Sequence, residues 1–154
     1  MDAFNIRCPG IENGRFLSRH TGRGEDLSPE LIVENLSPAA KTLAVTLEDM
    51  SHPIKGFTHW LLWNLPASDK IPAGIPAGIP AGRTVLNGAV QGVAYGFHRY
   101  AGPKPPRHTR HTYRFTVYAL DCVLELSPRS RKKAFLRKAQ GHILQSGSIL
   151  GEFE

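Results

Sequence analysis

Cysteine is nearly absent: Cys8 and Cys122 are the only two among 154 residues. They lie far apart and form neither a CxxC pair nor a Cys/His ligand spacing, which argues against a disulfide framework and a structural zinc site. Long apolar runs are missing too; none approaches the ~20 residues that a membrane-crossing helix needs. The N-terminus carries Asp2, Asn5 and Arg7 where a secretory leader would be apolar. A soluble protein of the reducing cytoplasm is therefore the expectation. Acidic residues are absent from one segment, where Arg129, Arg131, Lys132, Lys133, Arg137 and Lys138 follow one another. Removing those six from the 19 basic residues leaves thirteen, equal to the acidic count of 13, so the net charge of +6 is local. A basic run of this kind ordinarily forms the solvated face of one helix. It lacks stacking aromatics apart from Phe135, which disfavours nucleic acid as a partner. The G-x-S-x-G setting of a nucleophilic serine does not occur.

What the chain has in quantity is glycine and proline, 15 and 12 residues respectively. Turn signals at Pro9-Gly10, Asn13-Gly14 and Thr21-Gly22 make the first 30 residues mostly irregular. Leu43–Leu47 and His59–Leu65 are apolar runs of strand length, the second closed by Pro66. Tyr113 to Leu120 alternates, with Tyr113, Phe115, Val117 and Ala119 on one face. Ile-Pro-Ala-Gly recurs at Ile71, Ile75 and Ile79, and its prolines forbid both a helix and a central strand. Residues 71–82 are thus expected to be an extended connector with its isoleucines tucked inward. One helix is predicted over 130–146, with Phe135, Ala139 and Ile143 forming its apolar stripe and Gly147 suiting its stop. Strands, turns and one late helix point to a single mainly β domain over 1–154. Its expected form is an antiparallel Greek-key β-sandwich with the helix packed on it.

Three segments could carry chemistry: Asp49 to Pro53 at a strand end, His59-Trp60 opening the next strand, and Gly102-Pro103 leading to His111-Thr112-Tyr113. His111 and Tyr113 sit two apart on a strand, so both side chains point to one face. Imidazole N–H and phenol O–H groups are donors, and histidine adds partial positive charge near neutral pH. A carboxylate such as Asp49 would orient a histidine and raise its charged fraction. Together they suit a phosphate-like anion. Taken singly, each has a plainer explanation as a satisfied strand histidine, an interior aromatic or a turn aspartate.

These residues resemble the phosphatidylethanolamine-binding, or Raf kinase inhibitor-like, proteins in their prokaryotic branch. The likeness runs from about Gly14 to Phe153. It rests on Gly24-Glu25-Asp26-Leu27-Ser28-Pro29-Glu30-Leu31, on Asp49 followed by Pro53, and on His59-Trp60 through Asn64 to Pro66. Gly102-Pro103 with Pro105-Pro106, His111-x-Tyr113-x-Phe115 and the closing Ala139…Gly151 segment complete it. The resemblance implies a small anion pocket made by Asp49, Pro53, His59, Gly102, Pro103, His111 and Tyr113. It further implies a non-enzymatic binder of a phosphate-bearing ligand (a phospholipid head group, a nucleotide or a phosphorylated protein segment) that modulates kinases or other signalling partners. Homodimers also occur in such a family. No cofactor, metal or catalytic residue is expected. The family's D-P-D-x-P turn reads Asp49-Met50-Ser51-His52-Pro53 here, so the second acid is missing and His52 is an extra donor. His108 replaces a glycine beside the mouth. Two rival readings use the same chain: a hydrolase working through a His–Asp acid–base pair, and surface binding of nucleic acid or anionic lipid through Arg129–Lys138.

Overall fold

The structure, a computed structural model, describes residues 3–79 and 88–154. Its strands are β1 (Asn5–Arg7), β2 (Ile11–Glu12), β3 (Arg15–Phe16), β4 (Leu31–Glu34), β5 (Thr42–Asp49), β6 (Phe57–Pro66), β7 (Lys70–Ile71), β8 (Val90–Gln91), β9 (His111–Leu120) and β10 (Ile143–Phe153). Helix α1 (Lys132–Ala139) interrupts the run between β9 and β10. Seven strands join in the order β2-β3-β10-β9-β5-β6-β8, and β1-β4-β7 form a second, smaller sheet. Pairings are antiparallel except β3 with β10, which meet in parallel at Arg15 and Glu152. The long connection leaving β6 returns β9 beside β5, the Greek-key step expected of this sequence.

The alternation in β9 sorts its side chains between two cores. Tyr113, Phe115, Val117 and Ala119 join Leu43, Val45, Leu47, Trp60 and Leu62 in the main core, which the small sheet closes with Ile6, Leu31, Val33 and Ile71. The opposite face, with Ala44, Leu61, Trp63 and Leu120, is covered by Phe135 and Ala139 of α1. Strands buried on both faces need not alternate, which is why β5 and β6 read as continuous apolar runs. Asn64 interrupts β6 at a positive φ of 61°. The register of β5 against β6 slips at this place, pairing Leu43 with Leu65 but Val45 with Leu62. The bulge turns Leu65 back into the main core. Asn64 tolerates that backbone and uses both ends of its amide on Leu124, donating to the carbonyl at 2.9 Å and accepting from the N–H at 2.8 Å.

Two expectations need correction. The helix does not run over 130–146; it occupies eight residues and ends at Ala139. Gly141 takes a φ of +84°, which a helix cannot continue through. Ile143 belongs to β10, paired with Leu120 and 39% exposed, so the stripe ends with Phe135 and Ala139. Gly147 is no helix stop: it lies inside β10, where an added Cβ would come within 3.1 Å of the Phe4 ring. In the connector, Ile71 and Ile75 are buried at 1% and 6%, whereas Ile79 is 37% exposed. Residues 80–82 lie outside the described residues. Ser28 holds the first repeats, its carbonyl accepting from Gly74 N–H and its hydroxyl from Ile75 N–H. Gln91 donates to the Pro76 carbonyl while accepting from Trp60 Nε1.

Candidate functional site

Sheet register brings the candidate residues together. Asp49 ends β5 opposite Tyr113 of β9 and Phe57 of β6, two residues from His111 and from His59 respectively. Both oxygens of Asp49 are engaged: Oδ1 accepts from Ser51 N–H at 2.9 Å, and Oδ2 from His111 Nδ1 at 2.7 Å. A carboxylate oxygen only accepts here, so the proton sits on Nδ1 and His111 keeps Nε2 uncommitted. His59 repeats this arrangement by donating from Nδ1 to the Ala101 carbonyl at 2.7 Å. The Tyr113 ring lies 5.5 Å from the His59 centroid and 6.2 Å from that of His111. Asp49, His59 and Tyr113 are each at least 95% buried, so His111 is the more open member. Sequence reasoning selected these four, and the fold does assemble them.

Electrostatics follow from burial. His59 is held below its ordinary value by desolvation, against which its hydrogen bond to Ala101 and the Asp49 charge act. It is therefore mostly neutral near pH 7. Burial pushes the Tyr113 phenol well above its usual range, reinforced by the Asp49 charge, so the hydroxyl stays protonated and available as a donor.

The wall is set by distant residues. Gly102 N–H donates to Asp26 Oδ1 at 2.8 Å, and the Pro103 carbonyl accepts from Gly22 N–H at 2.9 Å. Tyr100 donates its hydroxyl to the His20 carbonyl at 2.6 Å. A Cβ on Gly102 would stand 2.3 Å from the His20 carbonyl oxygen and 2.6 Å from Asp26 Oδ1. Gly102→Ala is therefore expected to lower stability by about 1–3 kcal/mol through overpacking. A melt unchanged within error would show that the wall can shift freely. Pro53 is exposed in the bend after β5. His52 stacks on Phe57 at 4.0 Å and accepts from Ile54 N–H through Nδ1. His108 is exposed at a positive φ of 67°.

Sequence reasoning missed Tyr95. Its ring lies 4.8 Å from His59 and 5.3 Å from Phe57, yet it is 50% exposed. Tyr95 and Gly96 take φ values of 54° and 76° between the bridged residues Ala94 and Phe97. This is the hairpin geometry that normally calls for Asn-Gly, so a tyrosine gave no signal there. A non-glycine residue kept in that region stores strain, a trait that clusters at binding sites. Beyond Phe57 and Tyr95 opens a groove of about 680 Å³ whose lining includes Lys55, Arg131 and Lys133. Lys132, at the same edge, pairs with buried Glu48, which Arg114 also reaches at 3.1 Å. Burial opposes ionisation of Glu48, but these two cations outweigh it and hold the carboxyl below its ordinary value.

Comparison with known proteins agrees with this fold. Residues 8–154 match the sequence pattern of the phosphatidylethanolamine-binding protein family. A UPF0098 protein of Pyrococcus horikoshii is 37% identical over 145 residues, covering 92% of this chain and 72% of that one. A UPF0098 protein of Methanothermobacter thermautotrophicus is 36% identical over 150 residues, covering 97% and 93%. The crystal structure of a phosphatidylethanolamine-binding protein homologue from Chlamydia trachomatis superposes with a TM-score of 0.83 at 28% identity, covering 100% of this chain and 99% of that one. YbcL of Escherichia coli, described as a member of the mammalian family, shares the fold at a TM-score of 0.86 and 24% identity, with 99% of each chain covered. This chain belongs to the phosphatidylethanolamine-binding protein family.

Proposed function

We propose that this chain is a non-enzymatic binding protein whose pocket, built from Asp49, His59, His111 and Tyr113, takes the phosphate group of a small ligand or of a phosphorylated protein. One observation carries the reading. Each histidine spends Nδ1 on the protein and, among the described residues, makes no side-chain hydrogen bond through Nε2, around a phenol that stays protonated. Protonating either Nε2 produces a second N–H donor with positive charge, the chemistry that tetrahedral oxyanions select. Among the described residues, the hydrogen bonds of His59 and His111 include no serine, threonine or cysteine side chain that they could activate as a nucleophile. A regulatory role towards kinases or other signalling partners is the physiological form proposed for this binding.

Sulfate is the cleanest probe, because its charge is constant across the working range. Since His59 is mostly neutral near pH 7, binding takes up a proton. Affinity is expected to rise as pH falls from about 8 to about 6, approaching about tenfold per unit for one proton. His59→Ala should flatten that profile. Stability moves the other way. His20 and His59 both have folded values depressed mainly by burial, so protonation favours the unfolded chain. The thermal midpoint in anion-free buffer should drop as pH falls below about 6.5, and sulfate should restore the His59 share only. Sulfate affinity that is independent of pH and of His59 would refute the assignment.

A further inference from the structure

A second cluster of ligand-type side chains lies away from the pocket, at the far end of β9. Asp121 and Cys122 follow β9 directly, and His142 precedes β10, so Leu120 and Ile143 pair immediately beside them. The sequence conceals the group, because a helix and its flanking loops separate its two halves. The backbone around it is fixed. Asp121 N–H donates to the His142 carbonyl at 3.0 Å, His142 N–H donates to the Ala139 carbonyl at 2.9 Å, and Thr42 Oγ1 donates to the Cys122 carbonyl at 2.7 Å. One thiol, one imidazole and one carboxylate offer ligand atoms that all lie within 4.8 Å of one another. Asp121 Oδ1 and His142 Nδ1 already stand 2.9 Å apart, with their side chains 42% and 47% exposed.

From this arrangement we infer that Asp121, Cys122 and His142 form a binding site for a divalent cation of the zinc class. Sulfur and imidazole donors favour Zn²⁺ and its neighbours over Mg²⁺ or Ca²⁺, which prefer oxygen alone. Bond lengths of about 2.0–2.3 Å on a tetrahedral ion place ligand atoms somewhat closer together than they stand now. Exposed side chains on a fixed backbone can close that gap by rotation. On binding, a metal–sulfur bond forms and the thiol proton leaves to solvent, while His142 gives up its contact with Asp121, its Nδ1 proton passing through solvent to Nε2 so that Nδ1 coordinates as part of a neutral imidazole. Water completes the coordination. Redox state is unchanged throughout. The ion would tie the two roots of the 123–141 excursion, the segment that carries α1 and its basic residues, to the end of the central sheet.

Titration of the full, untagged chain with Co²⁺ in a thiol-free reducing buffer tests this. One equivalent should produce thiolate-to-cobalt charge-transfer absorption, and Zn²⁺ should abolish it by displacement. Cys122→Ser should remove the band, whereas Cys8→Ser should keep it, since Cys8 is buried in the main core. His142→Ala and Asp121→Asn should each weaken binding by at least about tenfold, with far-ultraviolet circular dichroism confirming that both fold. No thiolate band, a band surviving Cys122→Ser, or affinity unchanged in the folded His142→Ala and Asp121→Asn proteins would overturn the inference.

Discussion

Asp49→Ala is expected to weaken sulfate binding by about tenfold to a hundredfold while leaving the sheet folded. The sign is not obvious, because Asp49 is itself an anion near an anion site. Distance decides it. Its Oδ2 lies 2.7 Å from His111 Nδ1, whereas a ligand on the far ring nitrogen sits roughly 7 Å away. Coulomb attraction to an imidazolium at the shorter distance still exceeds repulsion from a doubly charged sulfate at the longer one, but only by about a third, so the hydrogen bond that Asp49 holds on Nδ1 supplies most of the loss. Loss of one hydrogen bond to a charged group costs about 1.5–3 kcal/mol, and 1.4 kcal/mol is a factor of ten in affinity. The same change strands Ser51 N–H, so some loss of stability should accompany it. Asp49→Asn separates the contributions. Its amide oxygen still accepts from one donor but brings no charge, so its affinity should fall between that of the native chain and Asp49→Ala. Isothermal titration at fixed pH reads all three. Tighter sulfate binding in both variants would mean that repulsion dominates, and the role given to Asp49 would be wrong.

Phe135→Ala should cost about 3–5 kcal/mol. Phe135 is fully buried, stacked on Trp63 at 6.2 Å and set edge-on against Tyr118 at 5.6 Å. Two helical turns are too few to be stable in water alone. Lysine at the start of α1 also opposes the helix dipole, an unfavourable placement offset by the Lys132–Glu48 pair. Burial of Phe135 and Ala139 therefore holds the helix on the sheet. Denaturant melts should show the loss. Amide exchange should report residues 132–139 opening while β10 stays protected, because β10 is held by β9 along its whole length. A cost below about 1 kcal/mol would show that α1 is anchored elsewhere.

The features legible in the sequence were those set by local periodicity or by short motifs. Alternation from Tyr113 to Ala119 places the β9 side chains correctly, and the breaks at Pro66 and Asp49 mark real strand ends. Asp49, His59 and His111 converge because each sits at or near the start or end of a strand whose apolar run is unmistakable. The helix boundary failed for an equally local reason: Ile143 satisfies the i, i+4, i+8 spacing, and only pairing with β9 makes it a strand residue. Tertiary pairing overrode a valid pattern. Tyr95 was hidden because its turn conformation is foreign to its residue type. Asp121, Cys122 and His142 were hidden because two strand ends, rather than any sequence spacing, bring them together.

One consequence concerns the order in which the pocket comes into being. Its wall is fastened by hydrogen bonds whose partners lie 76, 80 and 82 residues apart in sequence, from Asp26 to Gly102, His20 to Tyr100 and Arg23 to Pro105. Closing loops of that size is entropically costly and slows the contacts that depend on it. The hairpin of β5 and β6, joined by a short turn, carries no such delay. During synthesis residues 20–26 leave the ribosome well before residues 100–105, their partners in these three bonds, emerge. The Gly102–Pro103 segment is thus set late, when residues 20–26 find residues 100–105.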